Sequence, residues 1–116
     1  MVNRSPRVSV VMPAFNVEKY VERAVTSVLD QSFENLELIV IDDGSKDRTL
    51  EIVQALARED SRLKVVIQEN AGRPSIARNR GITRSTGEYL AFLDSDDFWL
   101  PNRVEMMVSG LDQHPE

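Results

Sequence analysis

Cysteine is absent from this 116-residue chain, which excludes disulfides and thiolate metal sites outright. Histidine occurs once, as His114 beside Pro115, outside every polar cluster; it reads as exposed and inert, and no Ser–His–Asp triad can assemble. No apolar run approaches the roughly 20 residues that cross a bilayer. Met1 to Arg7 lack the apolar core of a signal peptide. A cytoplasmic location is expected, with membrane attachment through further sequence left open. Basic residues are outnumbered, 14 against 19 acidic, for a formal net charge of −5. Nucleic-acid surfaces are usually basic, so no such partner is expected. The 41% hydrophobic content argues for a packed core rather than disorder, and the length suits one modest domain.

What is present alternates between two periodicities. Val8 to Met12 reads as a strand stopped by Pro13, and Asn16 stands ready to cap a helix from about Val17 to Gln31. Val17, Tyr20, Val21, Ala24, Val25, Val28 and Leu29 fall on one helical stripe, with Glu18, Lys19, Glu22 and Arg23 opposite. A second strand, Leu36 to Ile41, runs into Asp42-Asp43-Gly44-Ser45, where Gly44 suits a tight turn. Ser45 or Asp47 can cap a helix from about Arg48 to Glu59. Leu63 to Ile67 is a β-branched third strand, followed by the loop Glu69 to Pro74. A third helix opens at Pro74 or Ser75 and runs to about Ser85; Gly81 inside it implies close packing or an early end. A fourth strand, Glu88 to Leu93, reads as buried on both faces. A last helix starts near Pro101, carries Met106 and Met107 on its core side, and ends by Pro115.

This βαβαβαβα order implies a Rossmann-like parallel sheet with helices on both faces. Ligands of such sheets sit beyond the carboxyl ends of the strands. The unusual residues fall there: Pro13-Ala14-Phe15-Asn16, Asp42-Asp43-Gly44-Ser45 and Asp94-Ser95-Asp96-Asp97. Gathered carboxylates repel one another unless a positive charge intervenes, and a hard divalent ion is the simplest candidate. A phosphate ligand would bring that cation with it or borrow Arg73, Arg78 or Arg80. Each cluster also has an ordinary reading. Asp42 and Asp43 suit a turn and cap, Asn70 and Gly72 a turn, Arg78 and Arg80 a solvated face, and Phe15, Phe98 and Trp99 core or lid packing. Walker and Gly-x-Gly-x-x-Gly phosphate loops are both missing.

Taken in order, these blocks resemble the family 2 nucleotide-sugar glycosyltransferases of GT-A fold. The resemblance runs from Val8 to Glu116 and rests on Pro13-Ala14-Phe15-Asn16, Asp42-Asp43-Gly44-Ser45-x-Asp47-x-Thr49, Asn70-x-Gly72, Ala77-Arg78-Asn79-x-Gly81 and Asp94-Ser95-Asp96-Asp97. It implies a nucleotide-diphosphate sugar donor, a UDP-sugar above all, and the nucleotide-binding half of the GT-A fold. Pro13, Ala14, Phe15 and Asn16 would line the nucleotide pocket, joined by Gly44 and Ser95. Asp43 would bond base or ribose, and Arg78 would lie against base or diphosphate. Asp94-Ser95-Asp96 matches the family's Asp-x-Asp motif. Asp96 would be the principal ligand of manganese or magnesium, with Asp94 nearer the ribose or sugar and Asp97 in support. The implied reaction is an inverting transfer to an acceptor glycan, free or lipid-linked, of the kind used in building cell-envelope polysaccharides.

That reaction needs a general base, which the family carries well after the Asp-x-Asp motif. Asp112 and Glu116 lie at the far end of the last helix and are poor substitutes. The expectation is a single donor-binding domain over residues 1–116, taken from a longer enzyme and inactive alone. Self-association through an uncovered sheet edge is expected as well. Two readings compete: a non-catalytic nucleotide-binding or scaffolding module, and a phosphoacceptor receiver domain. Receivers carry an acidic pair after the first strand, where this chain has Pro13.

Overall fold

A computed structural model describes residues 6–113. The expectations placed on His114, Pro115 and Glu116 lie outside that range. Eight elements alternate: β1 (Val8–Ala14), α1 (Val21–Leu29), β2 (Leu36–Asp43), α2 (Thr49–Glu59), β3 (Leu63–Gln68), α3 (Pro74–Arg84), β4 (Tyr89–Phe92) and α4 (Arg103–Gln113). The four strands form one parallel sheet in the order β3-β2-β1-β4. Every connection is therefore a helical crossover, as parallel pairing requires.

β2 is buried along its whole length because it is central and covered on both faces. Val8, Val10, Met12, Leu38 and Val40 face α1, α2 and α4, whose Val25, Val53 and Val104 close the main core. The opposite face carries a smaller cluster, Ile39, Ile41 and Val66 against Ala77 of α3. Gly81 explains how close α3 comes: a Cβ there would lie 2.3 Å from Val11 Cγ1. Close packing, not an early helix end, is its role.

Several boundaries differ from those expected, each for a local reason. β1 continues through Pro13 to Ala14. Val11 turns its carbonyl toward β4, accepting from the Leu93 amide, and Pro13 turns its nitrogen the same way, past the last β1–β4 pair Val11–Phe92. No ladder bond is lost there. α1 starts at Val21, later than expected, because the Val17 carbonyl first closes a turn onto the Tyr20 and Val21 amides. β4 is an edge strand rather than a doubly buried one: Leu90 and Phe92 remain 39% and 44% exposed, since α3 packs mainly on β1 and β2 on that side. Met106 faces solvent and only Met107 joins the core. α4 begins two residues after Pro101.

Candidate functional site

The carboxyl ends of β1, β2 and β4 share one rim, and a cleft opens there. It has a volume of about 620 Å³, within the roughly 300–1,000 Å³ of small-molecule sites. β1 contributes Pro13, Ala14 and Phe15; β2 contributes Asp43; the segment after β4 contributes Asp94, Ser95 and Asp96. Arg78, on the first half of α3, completes it from the sheet's less-covered face. Asp43 and Asp96, distant in sequence, line the same hollow.

Asp43 is held rigidly. Its Oδ1 accepts from Gln68 Nε2 at 2.8 Å and from the Ala71 amide at 2.9 Å, while its carbonyl accepts from Asn70 Nδ2 at 3.2 Å. Oδ2 has no partner among the described residues, so one acceptor remains for a ligand. Its neighbour Asp42 is buried and turned away from the cleft. One oxygen of Asp42 takes the Ser45 amide at 3.2 Å, and Oδ1 has no partner among the described residues.

Asn16 and Gly44 do not line the cleft; they lock the loops behind it. Asn16 adopts a left-handed conformation, φ 52°, which Asn tolerates better than most residues. Its amide donates to Ser45 Oγ and its Oδ1 accepts from the Lys46 amide, so it joins two loops instead of capping α1. Gly44 has φ 73°, and a Cβ there would meet the Asn70 amide nitrogen at 2.7 Å. Arg48, not Asp47, stands at the N-cap of α2, without a side-chain cap bond; Asp47, one residue earlier, accepts from the Thr49 amide and from the Glu18 amide. Burial pushes the Asp47 carboxyl up, but the Thr49 and Glu18 donors outweigh it and hold it below its usual range. Thr49 Oγ1 in turn accepts from the Val17 amide at 2.8 Å. The loops after β1, β2 and β3 are thus one bonded unit.

Val17, Asn70, Gly72, Pro74 and Ala77 also line the cleft, although they were not among the residues expected to form the pocket; Arg73, one of the three arginines a phosphate could borrow, lines it too. The signal lay in the Asn70-x-Gly72 block and the following arginine, which read equally well as a plain turn. Gly72 has φ 72°, a conformation that suits glycine.

Across the cleft, Arg78 Nη2 stands 3.9 Å from Asp94 Oδ1 with both side chains well exposed, a weak pair that leaves the cation available. Asp94 and Asp96 are exposed and Ser95 is buried. The Asp97 amide closes a turn onto the Asp94 carbonyl, and Asp97 Oδ1 accepts from the Phe98 amide. Among the described residues no three His, Cys, Asp or Glu side chains are grouped to hold an ion alone. Two open carboxylates fit an ion that completes its shell with phosphate oxygens and water, the usual habit of magnesium. A second hollow adjoins the first through Arg78 and Asp94 and is lined further by Phe92, Leu93, Asp97 and Trp99, so space continues beyond the acids.

A family model described as Glycosyl transferase family 2 matches residues 9–116. The putative teichuronic acid biosynthesis glycosyltransferase TuaG of Bacillus subtilis is 45% identical over 109 residues, spanning 93% of this chain and 43% of its own. S. aureus TarS superimposes with a TM-score of 0.87 at 34% identity, over 94% of this chain and 33% of that one; its structures include complexes with UDP and with UDP-GlcNAc. The mannosyltransferase PcManGT of Pyrobaculum calidifontis, solved with GDP-Man and Mn2+, gives 0.72 at 28% identity, over 89% of this chain and 31% of that one. The chain spans less than half the length of the relatives it matches.

Proposed function

Since the chain belongs to glycosyl transferase family 2 and has the α/β architecture of GT-A glycosyltransferases, we propose that its cleft binds a nucleotide-diphosphate sugar for transfer to an acceptor hydroxyl. One observation carries the reading: Phe15, Asp43, Arg78, Asp94 and Asp96, drawn from four separate segments, line a single cleft. The base lies along Pro13 and Phe15, and Asp43 Oδ2 accepts a hydrogen bond from base or ribose. Arg78 faces base or diphosphate. UDP is the favoured nucleotide, because TarS is solved with UDP and UDP-GlcNAc.

Asp94 and Asp96 hold a divalent cation, manganese or magnesium, with Asp96 the principal ligand. Such an ion, when bound, neutralises charge on the departing diphosphate. The transferred sugar extends past the acids, and attack by the acceptor inverts its anomeric centre. The cleft carboxylates are all committed to binding: Asp43 to the nucleoside, Asp94 and Asp96 to the metal. Asp112 is taken by Arg7 and Tyr89. Among the described residues no carboxylate of the cleft is left over as general base, and Asp97, in the adjoining hollow, accepts from the Phe98 amide; on this reading the polypeptide binds donor and transfers no sugar unaided. The acceptor, a glycan or lipid-linked glycan, is met by the whole enzyme. Among the described residues no helix is long and apolar enough to cross a membrane.

Thermal unfolding with UDP, with and without manganese, tests this. A ligand at 100 times its dissociation constant adds about 2.7 kcal/mol. Manganese should enlarge the UDP shift, and Asp96→Ala should abolish that enlargement while leaving the unliganded melting temperature unchanged. Equal shifts with and without manganese in the wild type would refute the metal's part.

A further inference from the structure

α1 carries a line of polar side chains that reads the acidic segment after β4 residue by residue. Arg23 and Ser27 are one helical turn apart and share a face, and Gln31 continues the line just past the helix end. Arg23 Nη2 donates to the Asp96 carbonyl at 3.4 Å, and its guanidinium lies 4.6 Å from the centre of the Phe98 ring. Ser27 Oγ accepts from the Trp99 amide at 3.1 Å. Gln31, 3% exposed, donates to the Leu100 carbonyl at 2.7 Å and accepts from the Val104 amide at 2.8 Å. Contacts at 96, 98, 99, 100 and 104 follow one another along the chain, so the helix acts as a template for this connection.

Only the first rung touches a residue assigned above to the cation. Arg23 bonds the backbone of Asp96, not its carboxylate, so the turn is fixed while the side-chain oxygens stay open. The Phe98 face, itself 47% exposed, keeps the guanidinium in place by a cation–π contact. A lysine would supply the charge but not the planar, multi-donor head.

We propose that Arg23, held by Phe98, is a positioning residue for the cation: it sets the Asp94–Asp97 turn in the shape that accepts manganese or magnesium with a nucleoside diphosphate. This inference rests on the metal-assisted reading of the cleft. The test titrates manganese into the chain at fixed UDP and follows bound nucleotide by calorimetry. Arg23→Ala should raise the manganese midpoint about tenfold, a typical loss for a supporting contact. UDP affinity without metal and the melting temperature should stay at wild-type values. Arg23→Lys should fall between, and Phe98→Leu, which keeps the apolar bulk without the ring face, should shift the midpoint in the same direction. Trp99, the sole tryptophan, gives a metal-free readout: acrylamide quenching of its emission should increase in Arg23→Ala. If wild type responds to manganese and both Arg23→Ala and Phe98→Leu match it, the positioning role is overturned and the cleft reading stands. If wild type shows no manganese response, the metal reading falls and this inference with it.

Discussion

Glu37 and Asp43 belong to the same strand, both are almost wholly buried, and the fold treats them in opposite ways. Glu37, near the start of β2, is saturated by the protein. Its Oε2 accepts from Ser9 Oγ at 2.6 Å and from the Thr86 amide at 2.8 Å, and its Oε1 accepts from Lys64 at 2.8 Å. Gly87 is pressed against Ser9 beside it, donating to Ser9 Oγ. Asp43, at the strand's mouth, has one oxygen anchored and the other free. A carboxylate both of whose oxygens are met internally holds the chain together. One held rigidly by half its acceptors, beside a cleft, is prepared for something else.

The largest expected effect separates the two roles. Glu37→Ala strands Ser9 and the Thr86 amide and should destabilise the fold by about 3 kcal/mol, as losses of hydrogen bonds to charged groups do. UDP binding by the folded fraction should not change. Chemical denaturation read beside nucleotide titration checks both halves; a loss of affinity without loss of stability would reverse the comparison.

Asp43→Asn should do the opposite. The amide keeps Oδ1 for Gln68 and Ala71 but turns the free oxygen into a donor. UDP affinity should fall by roughly 10- to 100-fold, the worth of a charged hydrogen bond, with stability inside about 0.5 kcal/mol of wild type. Calorimetry on the folded variant decides it.

The smallest effect is a pH dependence. Burial pushes the Glu37 carboxyl up, but bonds from Lys64, Ser9 and Thr86 outweigh it and hold it below its ordinary 4.5. A depressed folded value means the contribution is complete above about pH 4.5 and drains away as pH falls through the folded value. Glu37→Gln should therefore flatten the acid limb of the stability curve. An unchanged limb would show that other groups govern acid unfolding.

The element order and the shared rim were legible in the sequence, because β2's continuous apolar run and the stripe of α1 are period signals that tertiary contacts reinforce. What escaped was set by contacts distant in sequence. Asn16 has a capping residue's chemistry, but the Ser45–Lys46 segment offered it better partners. Tyr89–Phe92 reads as a doubly buried strand because composition cannot reveal that α3 stops short of it. Arg23 looked like ordinary solvated surface, and only the fold brings Phe98 beneath it. The Asn70–Pro74 wall of the cleft read as turn chemistry, since Gly and Pro punctuate both.

The proposed function requires one cleft, at the strands' carboxyl ends, to take nucleotide and metal together. Manganese is paramagnetic, so amide spectra of the labelled chain with UDP and traces of manganese test it directly. Signals of Gly72, Ala77, Asp94, Ser95 and Asp96 should broaden first, while those of Glu37, Lys64 and Thr86 stay sharp. Broadening centred on Glu37 or on Asp112, or spread evenly over the acidic surface, would contradict it.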